Sequence, residues 1–234
     1  MPDRSDRYPA SPLRMDLHVH TVASRDSVLE LSEAVVRAVE RGLDGLAVTD
    51  HNRVSPPETL REAAQRVPGF LLVSGAEVST RDGHLLAYGV TEPPPPGRSW
   101  AETVDGILQR GGVPVVAHPF RYVHGAGGRG IRGRGIAGIE TNNGRNGRGS
   151  NRRAERAREE FHLGGTGGSD AHSPAEVGQA FTLLWPEAPT VEGVLDALRR
   201  GACRGQGDGQ GWSGRVRVSL QNAVKRLRRG LAPV

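Results

Sequence analysis

Short apolar runs that read as strands alternate with helical segments along this chain, and most of the runs end on a histidine, an aspartate or a glutamate. The first run, 13–20, has strict period-two patterning. Further strand-like runs fall at 46–49, 70–77, 84–90, 113–118, 136–141, 166–169 and 181–185. Helical spacing appears at 31–42, with Ser32 as a candidate N-cap and Gly42 as a stop. It recurs at 57–66 with proline in the first turn, at 99–110 behind Ser99, at 151–162 and at 191–200. Strands that alternate with helices predict an α/β protein with a parallel sheet. About seven short buried strands are most simply covered by closing the sheet into a barrel. The 234 residues fall below the roughly 250 typical of an eightfold barrel, so seven strands fit better than eight.

The positions of the polar residues carry the chemistry. His18 and His20 close the first strand, Asp50 and His51 follow the second, and Glu77 ends the third. His118 ends the 113–118 strand, Asn142 follows the next, and Asp170 and His172 follow the 166–169 strand. In a parallel barrel all these ends meet on one rim, where active sites are built. Residues i and i+2 of a strand share a face about 7 Å apart, so His18 and His20 can converge on one cation. By that alternation Asp16, His18 and His20 are predicted to face the interior, and Leu17 and Val19 the helix layer. A buried cluster of imidazoles and carboxylates is costly without cations to offset it. Imidazole and carboxylate donors without thiolate suit Zn, Mn, Fe or Co rather than Ca, and the donors outnumber the needs of one ion. Two or three divalent ions are expected.

The motifs Asp16-Leu-His-Val-His-Thr21, Thr49-Asp-His-Asn52, Gly75-Ala-Glu-Val-Ser79, Gly83-His84, Ala117-His-Pro119 and Gly168-Ser-Asp-Ala-His172 stand in this order along most of the chain. Together they resemble the PHP (polymerase and histidinol phosphatase) domain family. That resemblance implies a distorted (β/α)7 barrel with a trinuclear metal centre and phosphoesterase activity. It places His18, His20, Glu77 and Asp170 on one ion. Glu77 then bridges to a second ion held by His84 and His118, and Asp26, His51 and His172 hold the third. Many members carry Ser-Asp-Gly after the first histidines, whereas this chain has Ser24-Arg-Asp-Ser27, which displaces Asp26 by one position. His84 reads either as a ligand or as a surface histidine of a hairpin. Asp16, Asp50 and Asn52 are expected to orient ligand imidazoles. Arg121 is placed to contact a phosphate, for which its planar fork is suited, and Asn142 to contact metal or substrate or to form a turn. His124 and His162 read as ordinary histidines.

The expected reaction is hydrolysis of a phosphate ester by in-line attack of a metal-bridging hydroxide. Asp170, Arg121, His172 and His51 are the candidate catalytic groups, with the leaving group protonated by a metal-bound water or by whichever of His172 and His51 is not a ligand. A rival is an amidohydrolase-type metal hydrolase. The version with a bridging carbamylated lysine is excluded, because the only lysine is Lys225 in the tail. A non-catalytic RNA-binding barrel is a third reading.

Charge bears on the substrate. The net +5 is concentrated in residues 121–160, with a surplus of +6, and 199–234, with a surplus of +8, while the remainder is acidic. Such segments attract phosphorylated ligands, nucleic acid among them. Aromatic residues are only 4%, which disfavours base-stacking platforms and leans toward a phosphorylated small molecule or nucleotide. One cysteine, Cys203, leaves no internal disulfide and suits the cytoplasm. No apolar run approaches the roughly 20 residues of a membrane helix, and the polar N-terminus is no signal peptide. The expected organisation is a disordered lead-in at 1–12, the barrel at 13–200, and a Gly-rich linker with a basic extension at 201–234.

Overall fold

The computed structural model describes residues 11–207 apart from 123, 128–130 and 132–134. The lead-in, most of the basic extension and part of the Gly/Arg loop at 125–135 lie outside the described residues. The strands are β1 (Leu13–Val19), β2 (Gly45–Val48), β3 (Leu71–Thr80), β4 (Gly83–Tyr88), β5 (Val113–Val116), β6 (Gly138–Asn143), β7 (Gly164–Gly168), β8 (Phe181–Leu184) and β9 (Cys203–Gln206). The helices are α1 (Leu31–Glu40), α2 (Pro57–Gln65), α3 (Trp100–Gln109), α4 (Arg148–Glu160) and α5 (Val191–Arg199). Ser99 and Glu102 form a reciprocal capping box on α3. Ser32 is not a cap: Glu30 stands at the N-cap of α1 without a side-chain bond.

The strands form one sheet in the order β7-β6-β5-β4-β3-β2-β1-β8-β9. It is a nearly closed α/β barrel, but with nine strands rather than seven and with both strand directions. The pairs β1–β2, β2–β3, β5–β6 and β6–β7 are parallel. The pairs β3–β4, β4–β5, β1–β8 and β8–β9 are antiparallel. The turn at 81–83 makes β4 a hairpin partner of β3, which inserts the reversed strand. Past residue 200, where a linker is expected, Cys203–Gln206 pairs with β8 and belongs to the sheet.

Two apolar layers and a plug hold the barrel. Val19, Leu46 and Val48 pack with α1 and α2, while Val78, Leu85 and Val116 pack with α3. Met15, Ala47, Val73, Leu86, Tyr88 and Val115 cluster with Val194, Leu195 and Leu198 of α5, which fill the end of the barrel away from the histidines. Leu17 joins this cluster instead of the helix layer. The register of β1 on β2 shifts between Asp16 and Val19, and such a bulge turns extra residues inward while leaving His18 and His20 convergent. Among the described residues, no helix is long and apolar enough to cross a membrane.

The barrel closes at the mouth that carries the histidines. Asp170 N–H donates to His18 O at 2.7 Å and His20 N–H to Ala171 O at 2.9 Å, with a parallel bridge between Val19 and Ala171. This contact needs Gly168: a Cβ there would stand 2.3 Å from His18 Cβ and 2.7 Å from His18 N. Gly168→Ala is therefore expected to destabilise the fold by about 1–3 kcal/mol or more and to part β7 from β1. Gly149→Ala in α4, where a Cβ meets nothing within 4 Å, is expected to stabilise by roughly 0.5–1 kcal/mol. Urea melts of the two variants check the contrast, and equal midpoints would contradict it.

Candidate metal centre

All nine residues singled out as ligands gather in this mouth, with Glu77 in the middle. Glu77 Oε1 lies 2.7 Å from His118 Nε2 and 2.8 Å from His84 Nδ1. Its Oε2 lies 3.0 Å from His51 Nδ1, 3.3 Å from His20 Nε2 and 3.6 Å from His18 Nε2. The carboxylate thus faces one imidazole set with each oxygen. Asp170 Oδ1 is 3.4 Å from His20 Nε2, 3.6 Å from His172 Nδ1 and 3.8 Å from His18 Nε2. Asp26 Oδ2 lies 3.0 Å from His172 Nε2 and 3.6 Å from His51 Nε2, so the displaced aspartate still reaches the cluster. His84 is buried and is no surface residue. Asp170 and His118 hold positive φ values of 56° and 24°, an uncommon conformation for non-glycine residues that aims their side chains into the mouth.

The donors fit divalent ions. Three groupings bring their ligand atoms within 4.8 Å of one another: His18, Glu77 and His118; His18, His20 and Asp170; and His20, His51 and His172. His118 Nδ1 and Asp26 Oδ1 are buried without a hydrogen-bond partner. His18 Nε2 and His20 Nε2 point at each other across 3.0 Å. Nitrogen and oxygen donors without a thiolate match Zn, Mn, Fe or Co.

The cluster also sorts its own protons. Burial opposes the charge on Glu77, but His18, His84 and His118 outweigh it and hold the carboxyl well below its usual range. Burial likewise opposes the charge on Asp170, and Arg121 and His18 reverse the sign. His18 is raised well above the usual imidazole value: burial pushes it down, and Glu140, Asp170 and Glu77 outweigh that. His51, against the same opposing burial, is pushed up to about 10 by Asp26 and Glu77. Burial and then Arg121 lower His118 to about 4, and burial and then His20 lower His172. Burial thus favours the neutral form of His118 and His172, while the neighbouring carboxylates favour the protonated form of His18 and His51.

The neighbours of the cluster differ in part from expectation. Asp16 accepts from Ser169 and from Gly178 N–H and touches no imidazole. Asp50 accepts from Thr21 and from Ser24 Oγ, and Ser24 Oγ in turn lies 3.3 Å from His20 Nδ1. Asn52 bonds Ser79. These three anchor loops rather than rings. The acid that does orient a ring is Glu140, whose Oε1 lies 2.9 Å from His18 Nδ1 while Oε2 accepts His118 N–H at 2.8 Å. Its signal in the sequence is a lone carboxylate inside the apolar run 136–141. Asn142 turns away, donating to Gly207 O at 2.7 Å, and the next residue, Asn143, faces the site instead. Arg121 pairs with Asp170 Oδ2 and donates to Asn143 Oδ1 at 2.8 Å and Asn146 Oδ1 at 3.0 Å. Arg145, which the sequence reading passed over, places Nη1 2.9 Å from His172 Nδ1 and 4.0 Å from Asp170 Oδ1. His124 stacks on His84 with ring centroids 4.8 Å apart, and His162 lies in the turn after α4, outside the cluster.

Comparison with known proteins joins this geometry to a family. The PHP domain description matches residues 16–109, and the PHP-associated description matches 148–203. The chain belongs to the PHP family. Both matched stretches carry residues of the PHP mouth described above: the first holds His18 to His84, the second Asp170 and His172. An uncharacterized protein of Methanocaldococcus jannaschii is 28% identical over 56% of this chain and 82% of its own length. A 5'-3' exoribonuclease of Haemophilus influenzae is 40% identical over 29% of this chain, a stretch that is 24% of that enzyme. A phosphoribosyl 1,2-cyclic phosphate 1,2-diphosphodiesterase of Eggerthella lenta is 35% identical over 34% of this chain and 32% of its own length. Among solved structures, a two-domain protein of Bacteroides vulgatus with a PHP-like metal-dependent phosphoesterase superposes with TM-score 0.69 at 20% identity, covering 91% of this chain and 70% of that one. PsfC of Pseudomonas syringae also gives TM-score 0.69, at 18% identity, covering 94% of this chain and 99% of that one. These two likenesses establish the fold.

Proposed function

We propose that this protein is a metal-dependent phosphoesterase, acting on a phosphorylated metabolite, nucleotide or oligonucleotide end. The observation that carries the reading is Glu77, which offers one oxygen to His84 and His118 and the other to His51, His20 and His18. A buried carboxylate between two imidazole sets is what a bridge between two cations requires. The exoribonuclease and the cyclic-phosphate diphosphodiesterase among the relatives act on phosphoesters, which supports the same class.

Bound divalent ions would supply a water acidified at neutral pH and positive charge for the phosphoryl oxygens. His18, His20, Glu77 and Asp170 would hold one ion, His84 and His118 with Glu77 a second, and Asp26, His51 and His172 a third. The chain's own groups do the rest. Arg121 fixes Asp170 through its Oδ2, which leaves Oδ1 toward the imidazoles. Arg121 and Arg145 add two cationic groups beside the mouth, suited to a phosphate that carries more than one negative oxygen. His51, with 32% side-chain exposure, is the imidazole most open to solvent in the buried cluster. Phosphate release from a panel of monoesters, cyclic esters and short oligonucleotides tests the reading, and a metal-loaded protein that turns over none of them contradicts it.

The protons held by the imidazoles give a pH prediction. An imidazole must be neutral to ligate, so ion binding displaces the protons on His18 and His51. Affinity for zinc or manganese is expected to rise about tenfold per pH unit for each proton displaced. For His51 the window runs from 6.5 to about 10. In the metal-free protein the raised His51 contributes stability that is complete below 6.5 and lost as pH rises through about 10. The melting temperature of the metal-free protein should therefore fall across this window while the increment added by metal grows. Calorimetric titrations and melts at several pH values check both signs, and an affinity independent of pH would contradict them.

A further inference from the structure

A cleft of about 800 Å³ lies where the two ends of the sheet meet, and the reaction proposed above does not use it. Arg148 and Arg152 from the first turns of α4 line it, with Arg204 and Gln206 from β9. Among the described residues its one acid is Glu155, which Arg158 holds at 2.8 and 3.0 Å. Arg152 and Arg204, with Arg148 beside them, bring guanidiniums to one concavity, and their planar forks suit phosphate oxygens. Among the described residues the lining has no aromatic and no large aliphatic side chain. The arginine side chains there are suited to phosphate.

The cleft faces the same end of the barrel as the metal centre. Its lining comes from the C-terminal ends of β6 and β9 and from the start of α4. β9 runs antiparallel to β8, which runs antiparallel to β1, so β9 points to the same rim as β1. Asn151 joins the two places. It lines the cleft, its Oδ1 accepts Asn143 N–H at 3.3 Å and Asn146 Nδ2 at 3.2 Å, and its Nδ2 donates to Asn143 O at 3.2 Å. Asn143 and Asn146 in turn hold the Arg121 guanidinium that pairs with Asp170. Asn151, then Asn143 and Asn146, then Arg121 thus link the cleft to Asp170.

We propose that this cleft is a second phosphate site: the substrate carries at least two phosphates, one at Glu77 and Asp170 and a neighbouring one among Arg148, Arg152 and Arg204. The inference rests on the phosphoesterase reading. The second phosphate comes either from the next nucleotide of a strand or from a second ester on the same nucleoside, and substrates of both kinds tell these apart.

The test is the double variant R152A/R204A of the full chain. Both side chains are exposed, so the core is untouched. Three substrates are compared: thymidine 5′-monophosphate, thymidine 3′,5′-bisphosphate and 5′-phosphorylated trithymidylate. KM for the trinucleotide is expected to rise about tenfold or more with kcat unchanged, and the slope of log affinity against log salt to shrink by about 1.4, or 0.7 per lost contact. KM for the monophosphate should not move. A matching rise for the bisphosphate assigns any second phosphate to the cleft, and a rise for the trinucleotide alone assigns a strand. Unchanged KM for both, or equal changes for all three substrates, overturns the proposal. Calorimetric binding of the trinucleotide to the metal-loaded protein separates the two readings. Binding that depends on Arg152 and Arg204 without turnover of any ester would sink the phosphoesterase reading and leave the cleft standing.

Discussion

Glu77→Gln is expected to abolish phosphoester turnover, with a loss of at least about 10³-fold, and to remove at least one equivalent of bound metal. The substitution keeps the volume and one carbonyl oxygen but deletes the charge. Five imidazoles approach this carboxylate, from 2.7 Å for His118 to 3.6 Å for His18. Without its charge the protons on His18 and His51 lose a partner, and two cations lose their shared ligand. The metal-free variant should also melt earlier, because buried imidazolium groups then repel one another. Elemental analysis and phosphate release on the same preparation check both parts. A Glu77→Gln protein that keeps its full metal and its turnover would remove the basis for the bridging role.

Asp170→Asn is expected to act almost as strongly, again by about 10³-fold or more in turnover, for a different reason. Asp170 sits at φ 56°, where asparagine is tolerated better than most residues, so this substitution changes charge with little backbone strain. It removes the negative charge that Asp170 presents to His18, His20 and His172 and frees Arg121 from its ion pair. Loss of at least one metal equivalent with an unchanged near-ultraviolet spectrum is the expected signature. Asp170→Ala should lose about 1 kcal/mol more in stability, because the left-handed backbone is strained for alanine. A urea series on the two variants separates site chemistry from strain.

The sequence was most legible where a side chain's role follows from strand period alone. His18 and His20 lie together in the mouth because alternate residues of a strand share a face, and Asp170 and His172 because they follow a strand end. What one register step decides was hidden. The shift in β1 between Asp16 and Val19 sends Leu17 inward and Asp16 to Ser169, and a second shift between Glu140 and Asn142 gives the site Asn143 in place of Asn142. Neither bulge leaves a mark in composition. β9 was invisible for another reason: Cys203-Arg-Gly-Gln206 has no apolar alternation, and its strand is held by pairing with β8. Its Gly205 lies so close that a Cβ would stand 2.5 Å from Thr141 Oγ1 and Thr166 O, a contact between distant stretches of chain. Glu140 could have been found, since a charged residue in a buried strand needs a partner.

Cations held between Glu77, Asp170 and the five imidazoles around Glu77 are the centre of the proposed chemistry. Crystals grown with manganese and measured at a wavelength where that metal scatters anomalously test this directly. At least two anomalous peaks are expected, one flanked by His18, His20 and Asp170 and one by His84 and His118, with Glu77 between them. A fully ordered mouth without a peak beside Glu77, in protein that hydrolyses phosphate esters, would contradict it.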